Sequence, residues 1–210
     1  MGNNTVSNSV IKRLPRYYRF LGELKAFGVS RISSRELSER MGLTASQIRQ
    51  DLNCFGGFGQ QGYGYNVDIL REEIGHILGL DKLKSTILIG TGNLGRAVTQ
   101  HINFESMGFR LTGLFDIKES LVGQVIKNIP VRSISTLDEF CRENLPTVAI
   151  IFIPKKSAMA LAKQLVDLGI KGVWNFSHYD LSLNFPDIKV DNVHFGDSLM
   201  TLSYRLNNEN

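Results

Sequence analysis

The 210-residue sequence contains only two cysteines, Cys54 and Cys141. That is too few for a disulfide framework, and neither C-x-x-C nor Cys/His spacing for zinc is present. Reduced, structural thiols are expected, with no metal. No apolar run reaches the roughly 18 residues that span a bilayer, and no basic n-region followed by an apolar h-region opens the sequence. A cytoplasmic protein is expected. Low complexity is confined to the polar stretch Met1 to Ser9, read as a frayed tail. Catalytic signatures are missing as well: there is no Tyr-x-x-x-Lys, H-E-x-x-H, G-x-S-x-G or G-x-x-x-x-G-K-[ST]. His101, His178 and His194 are isolated, so no proton donor is visible and a non-enzymatic protein is expected.

Charge is present but unevenly placed. Residues 1–50 carry nine Lys/Arg against three acids, whereas the remaining 160 carry 15 basic and 17 acidic residues, so +6 gives way to −2. A basic front on a nearly neutral remainder is the footprint of one part meeting a polyanion.

Helical period and caps organise this front. Ile11, Leu14, Tyr18, Leu21, Leu24 and Ala26/Phe27 recur at spacings of three to four, predicting an amphipathic helix that starts at Pro15 and ends at Gly28. Ser33 with Glu36 forms a capping box for a short helix with Leu37 and Met41 inward, and Thr44 with Gln47 repeats the box. In the second short helix Ala45, Ile48, Leu52 and Phe55 form the buried stripe, which leaves Ser46, Gln47, Arg49, Gln50 and Asn53 outward. Two capped helices joined by a glycine-containing turn make a helix-turn-helix whose second helix can enter a major groove. Gln47 or Gln50 suits adenine, Arg49 guanine or phosphate, and Ser46 a phosphate at the helix N-terminus.

Residues 55–65, FGGFGQQGYGY, interleave glycines with aromatics. They read as a hairpin wing with Phe58, Tyr63 and Tyr65 in strands and a tip at Gln60-Gln61-Gly62. Asn66 is then placed to cap a helix whose Val67, Leu70, Ile74, Ile77 and Leu78 form a dry stripe, with His76 off it facing solvent.

At Gly79-Leu80-Asp81 the pattern changes to strands alternating with helices. Residues 85–102 give a buried strand (Thr86 to Ile89), the loop Gly90-Thr91-Gly92-Asn93-Leu94-Gly95, and a helix from about Asn93, which is the context that a G-x-G-x-x-G motif needs to cradle a pyrophosphate. The next strand, FRLTGLFD, ends at Asp116, 24 positions after Gly92. An acid there accepts the adenosine ribose hydroxyls and repels a 2′-phosphate, favouring NAD+/NADH over the phosphorylated dinucleotide. Strands at 147–153 and 172–176 flank a helix at 157–170 in an open parallel sheet, so Ile153, Pro154, Asn175 and Phe176 stand at the carboxyl ends where ligands bind, and Trp174 is read as core. The residues alone leave three readings open: a DNA-binding module joined to a dinucleotide-binding domain, an NAD-dependent oxidoreductase with an N-terminal extension, and the same DNA-binding module joined to a site for another nucleotide such as coenzyme A.

Taken in order, RLPRYYRFL (13–21), residues 31–59, GYGYNV (62–67), GTGNLGRAV (90–98), Asp116, Asn175-Phe176 and NVHF (192–195) resemble the Rex family of redox-sensing bacterial repressors. The resemblance implies an α/β chain with a winged helix-turn-helix domain (1–79), a Rossmann-like doubly wound parallel sheet (80–192) and a C-terminal helix (193–210) exchanged within a homodimer. It further implies palindromic operator DNA as partner and release of that DNA when NADH binds. The expected DNA-facing residues are Lys12, Arg13, Arg16, Ser33, Ser34, Arg35, Ser46, Gln47, Arg49, Gln50, Gln60, Gln61 and Gly62. The expected cofactor-facing residues are Gly90 to Gly95, Asp116, Ile117, Ile153, Pro154, Asn175, Phe176 and, near the nicotinamide, Phe195. His101 and His194 depart from the tyrosine and aspartate frequent in the family, and Gln60-Gln61 from a basic wing tip.

Overall fold

A computed structural model describes residues 6–58 and 63–208. The chain divides into two compact units, Met1–Asp81 and Lys82–Asn210.

In the first unit the leading helix α1 (Asn8–Ala26) starts well before Pro15, with Ser7 as its N-cap accepting from the Val10 N–H at 3.4 Å. The polar start is thus partly helical rather than frayed from residue 7 onward. Proline in a helix interior costs about 3 kcal/mol, and the turn ahead of Pro15 persists because Val10 is buried with Leu14, Tyr17, Leu21 and Leu24. The stripe therefore runs one residue out of the predicted phase at two points, with Val10 buried in place of Ile11 (45% exposed) and Tyr17 in place of Tyr18, and at its end Phe27 lies outside at 83%.

A short strand β1 (Arg31–Ile32) leads to α2 (Ser34–Met41) and α3 (Ala45–Asn53). The box on α2 is complete: the Ser33 N–H and hydroxyl each donate to Glu36 Oε2 at 2.8 Å, holding that carboxyl below its ordinary value, and the Glu36 N–H donates back to Ser33 Oγ at 3.1 Å. Gly42, at φ 62°, closes α2 in the left-handed conformation that an L side chain adopts only with strain. The box on α3 is half formed: Thr44 Oγ1 accepts from the Gln47 N–H at 3.1 Å, but the Gln47 side chain turns to Asp51 instead. Strand β2 (Tyr65–Asn66) pairs antiparallel with β1, Ile32 opposite Tyr65, so the described strand of the glycine-rich segment is zipped to the entry of α2. Phe58 packs on the core without being in a strand, and Tyr63 is 70% exposed. Gln60, Gln61 and Gly62 lie outside the described residues. Asn66 Oδ1 caps α4 (Val67–Ile77) by accepting from the Ile69 N–H at 3.0 Å, and α4 packs on α1.

Asp51 is the buried acid of this unit, 1% exposed. Arg13 Nε and Nη2 donate to its two oxygens at 2.6 and 2.7 Å, the Tyr17 hydroxyl donates at 2.8 Å and Gln47 Nε2 at 3.1 Å. The arrangement fastens α1 to α3 with a bidentate fork.

In the second unit β3 (Lys84–Ile89), β4 (Phe109–Asp116), β7 (Val148–Ile151) and β8 (Gly172–Asn175) form the parallel centre predicted from the pattern. Their neighbours are β5 (Val125–Ile126), β6 (Ile129–Ser133) and β9 (Lys189–Asn192), in the order β5-β6-β4-β3-β7-β8-β9, and only β5 and β6 pair antiparallel. Helices α5 (Asn93–His101), α6 (Leu137–Asn144) and α7 (Lys155–Asp167) accompany the strands, and two apolar clusters are built around Ile87, Phe115 and Ile151 on the one hand and Leu88, Leu114 and Ile150 on the other. Residues alternate between the two clusters along each central strand, as the period of two requires when both sheet faces are covered. The final helix α8 (Phe195–Asn207) has no buried residue.

Burial alone pushes the Asp51 carboxyl up, but hydrogen bonds from Arg13, Tyr17 and Gln47 outweigh it and hold the group below its ordinary value. A carboxylate depressed on folding stabilises above its unfolded pKa of about 3.9 and loses that contribution as pH falls through the folded value. Hydrogen exchange of the α3 amides in the full chain is expected to show constant protection down to about pH 4 and loss below it. In Arg13→Met only the Tyr17 and Gln47 hydrogen bonds oppose burial, so the loss of protection on acidification should be smaller than in the unaltered chain, from a starting stability lower by about 3–5 kcal/mol.

Candidate DNA-reading helix and nucleotide cradle

The first candidate site is the outer face of α3. Ser46, Arg49, Gln50 and Asn53 are exposed, and Gln47 is half-buried. Arg49 Nη1 donates to Ser34 Oγ at 3.0 Å, so the start of α2 and the middle of α3 present one surface. Arg35 is exposed there and bonded to Glu39 at 3.2 Å. On α1 Lys12 and Arg16 are exposed, and Arg16 Nη2 donates to the Met41 carbonyl. Arg13 behaves differently from the expectation: its fork is filled by Asp51, and it works as a clamp between helices rather than as a cation offered outward. Helical spacing itself carried that signal. Asp51 lies three residues beyond Ile48 on the buried stripe, where an acid demands donors, and Arg13 and Tyr17 are one turn apart on α1. Cys54, expected to be structural, is exposed with Sγ donating to the Gln50 carbonyl at 3.3 Å, whereas Cys141 is buried.

The second candidate site lies at the carboxyl ends of β3 and β4. Gly90, at φ 95°, has no room for a side chain: a Cβ would stand 2.3 Å from the Phe152 carbonyl oxygen. At Gly95 a Cβ would stand 1.9 Å from the Gly90 carbonyl oxygen, so only glycine lets α5 close on the turn. Gly92 is the opposite case, with nothing within 4 Å of its added Cβ and no side-chain cap on the helix it begins. The N-terminus of α5 is thus left without a side-chain cap, and the positive end of a helix favours an anion. Thr91 is fully buried, and its N–H and hydroxyl donate to Asp116 Oδ2 at 2.6 and 3.0 Å. The Lys118 N–H donates to the other oxygen at 2.9 Å. Asp116 is 6% exposed and fixed at the rim of the loop with acceptor capacity to spare, since a carboxylate offers about four lone-pair directions. Asn93 and Leu94 are exposed at the opening of α5, and Ile117, 82% exposed, flanks Asp116 as an apolar platform.

Ile153 is half-buried and Pro154, the N-cap residue of α7, is exposed. Asn175 departs from its expected role. It is fully buried, donates to the Tyr179 carbonyl at 2.6 Å and Asn192 Oδ1 at 2.7 Å, and accepts from the Ser177 N–H and hydroxyl at 3.0 and 2.7 Å. It holds the loop after β8 and has nothing left for a ligand. Phe176 is the centre of an aromatic group, stacked on Phe152 at 4.4 Å, edge-on to half-buried Trp174 at 4.6 Å and 5.7 Å from Phe195. Phe195 is 55% exposed and opens α8. Just before it, His194 and His178 stack with Nδ1 atoms 3.4 Å apart, and His178 sits at φ 58°. His101 is exposed at the end of α5. Among the described residues there is no group of three or more His, Cys, Asp or Glu that could hold a metal, and no helix is long and apolar enough to cross a membrane.

Both units have counterparts among known proteins. The family described as "Putative DNA-binding protein N-terminus" matches residues 5–53, and that described as "CoA binding domain" matches residues 81–179. A redox-sensing transcriptional repressor Rex of Thermoanaerobacter sp. (strain X514) is 55% identical over 97% of this chain and 91% of its own length. The crystal structure of RSP in complex with β-NAD+ and operator DNA is 53% identical, covers 99% of this chain and 95% of that one, and superposes with a TM-score of 0.90. RSP in complex with β-NADH is 50% identical over 99% and 97% of the two chains, with a TM-score of 0.89. A helix-turn-helix unit followed by a dinucleotide cradle, matched from end to end at this identity, places the chain in the Rex family of redox-sensing transcriptional repressors.

Proposed function

We propose that this chain is a DNA-binding transcriptional repressor that senses the NADH/NAD+ ratio and releases its operator when NADH binds, a regulatory rather than catalytic role exercised in the cytoplasm. The observation that carries the reading is the pairing, in one chain, of the exposed Arg49/Gln50 face of α3 with a glycine cradle whose rim acid, Asp116, is already aimed by Thr91. Solved relatives hold NAD+ with operator DNA, and NADH.

The residues present fit a dinucleotide. The open space at Gly92 admits a pyrophosphate against the N–H groups of α5, and Asp116 accepts ribose hydroxyls. An acid at that place repels a phosphate on the same ribose, which weighs against a phosphorylated nucleotide such as coenzyme A. NAD+ and NADH differ by one positive charge at the nicotinamide ring, and a pocket closed by an apolar side chain such as Phe195, brought by the exchanged segment of the second copy, prefers the neutral ring.

The subunit acts as a homodimer on a palindromic site, with residues 1–79 reading DNA, 80–192 binding nucleotide and 193–210 exchanged between copies. Support for the exchange lies in α8, which exposes Leu199, Met200, Leu202, Tyr204 and Leu206 by 50% or more. A row of that size is covered in a stable protein. Binding of DNA and NADH is then reciprocal: each weakens the other by the same factor, and a nearly complete switch needs about 5.5 kcal/mol of differential binding.

A gel shift on a palindromic library at about 0.1 M salt, with and without NADH, tests the reading: NADH-reversible retardation is expected, and sustained NADH oxidation with candidate carbonyl substrates would instead identify an oxidoreductase. Arg49→Ala is expected to weaken specific binding by about tenfold or more, within the range for one good base or phosphate contact, with NADH titration unchanged. Asp116→Ala should weaken NADH binding by about tenfold or more, read by nicotinamide fluorescence, because hydrogen bonds to a charged group are worth about 1.5–3 kcal/mol. Its affinity for DNA without nucleotide should stay intact. A chain ending at Val193 is expected to sediment as a monomer and to lose operator binding; a dimer of unchanged size would count against the exchanged helix.

A further inference from the structure

We infer that Asp51 is a positioning residue for sequence reading: it fixes which end of the Gln47 side-chain amide faces the DNA. This rests on the proposal that α3 enters the major groove.

Gln47 is the third residue of α3, in the first turn, where a groove-reading helix meets base edges. Its Nε2 donates to Asp51 Oδ1 at 3.1 Å, one turn further along the same helix. A glutamine amide has two faces that differ only by a half-turn of its last torsion. One end accepts and the other donates, and a flip exchanges the pattern that a base would meet. Asp51 removes that freedom. An ionised carboxylate is an acceptor only, so the Nε2 end must turn toward it. The Asp51 oxygens stay ionised and stationary because Arg13 grips both of them and the Tyr17 hydroxyl holds Oδ2. Both supporting groups come from α1, so the orientation of the reading amide is set by a different helix from the one that carries it.

Gln47 keeps its Oε1 and its second amide hydrogen for other partners. Those two atoms are the acceptor and donor that match the N6 amino group and N7 of adenine. Without Asp51 the amide would sample both orientations, and half of them would present a donor to the adenine amino group. The consequence is loss of discrimination at one base pair rather than loss of affinity across the site.

The test is operator selection by the full-length chain, by competition among sites varied at each position, using wild type, Gln47→Ala and Asp51→Asn. Asparagine keeps the shape of Asp51 but both donates and accepts. In wild type, preference for one base pair at the position read by Gln47 is expected to be about tenfold or more, the range of a bidentate contact. Both variants should reduce it to about twofold or less while preferences elsewhere in the site are kept, a pattern that general loosening of α3 would not give. If Asp51→Asn selects like wild type while Gln47→Ala does not, the positioning role is overturned and the repressor reading stands. If Gln47→Ala selects like wild type, Gln47 reads no base and the inference fails. A wild-type chain that prefers no sequence overturns both. Should Asp51→Asn not fold, the wild-type side-chain amide answers alone. Identified by its absence in Gln47→Ala, the Gln47 amide resonance should show one proton protected from exchange relative to exposed Gln50, and two equally exchanging protons would overturn the inference.

Discussion

The carboxylate of Asp51 is surrounded by donors and almost wholly removed from water, and the geometry of the DNA-binding unit follows from satisfying it. A buried charge costs several kcal/mol unless its lone pairs are filled, and here Arg13, Tyr17 and Gln47 fill them from two helices. Apolar packing of Leu14, Leu21, Ile48 and Leu52 would hold α1 against α3 over a range of small slides and rotations. A bidentate fork tolerates little of either. The interaction therefore contributes direction where the hydrophobic core contributes stability.

The nucleotide unit solves a similar problem with the reverse means, by leaving side chains out. Gly90 and Gly95 are fixed by backbone oxygens at distances no Cβ tolerates, and the space at Gly92 is left open. Asp116 ties the loop from the neighbouring strand through Thr91, so the acid that would meet the ribose also sets the shape of the turn that would meet the phosphates. One buried acid thus shapes the loop around it, as Asp51 fastens two helices in the other unit.

Much of this was legible in the sequence because it depends on local period and local caps. The capping box at Ser33, the cap at Asn66, the strand-loop-helix at 84–101 and the acid closing β4 are each specified within a few residues. What was not legible depends on partners distant in the chain. The spacing of α1 fits two phases equally well, and only packing chooses Val10 and Tyr17 over Ile11 and Tyr18. Pro15 looks like a helix start, because its penalty is visible locally and the burial that offsets it is not. The β5-β6 hairpin turns on Lys127 and Asn128, both at positive φ, instead of the glycine that usually announces such a turn. Asn175 stands where ligands bind in such sheets, yet four internal hydrogen bonds with Ser177, Tyr179 and Asn192 consume it.

The bare apolar row along α8 has a consequence for dosage. Where a second copy covers that row, pairing follows mass action, and at scarce supply the number of competent pairs falls with the square of the number of chains. Halving synthesis would then leave about a quarter of the former number of competent pairs, so the setting of the redox response would depend on how much of the protein the cell makes as well as on its nicotinamide pool.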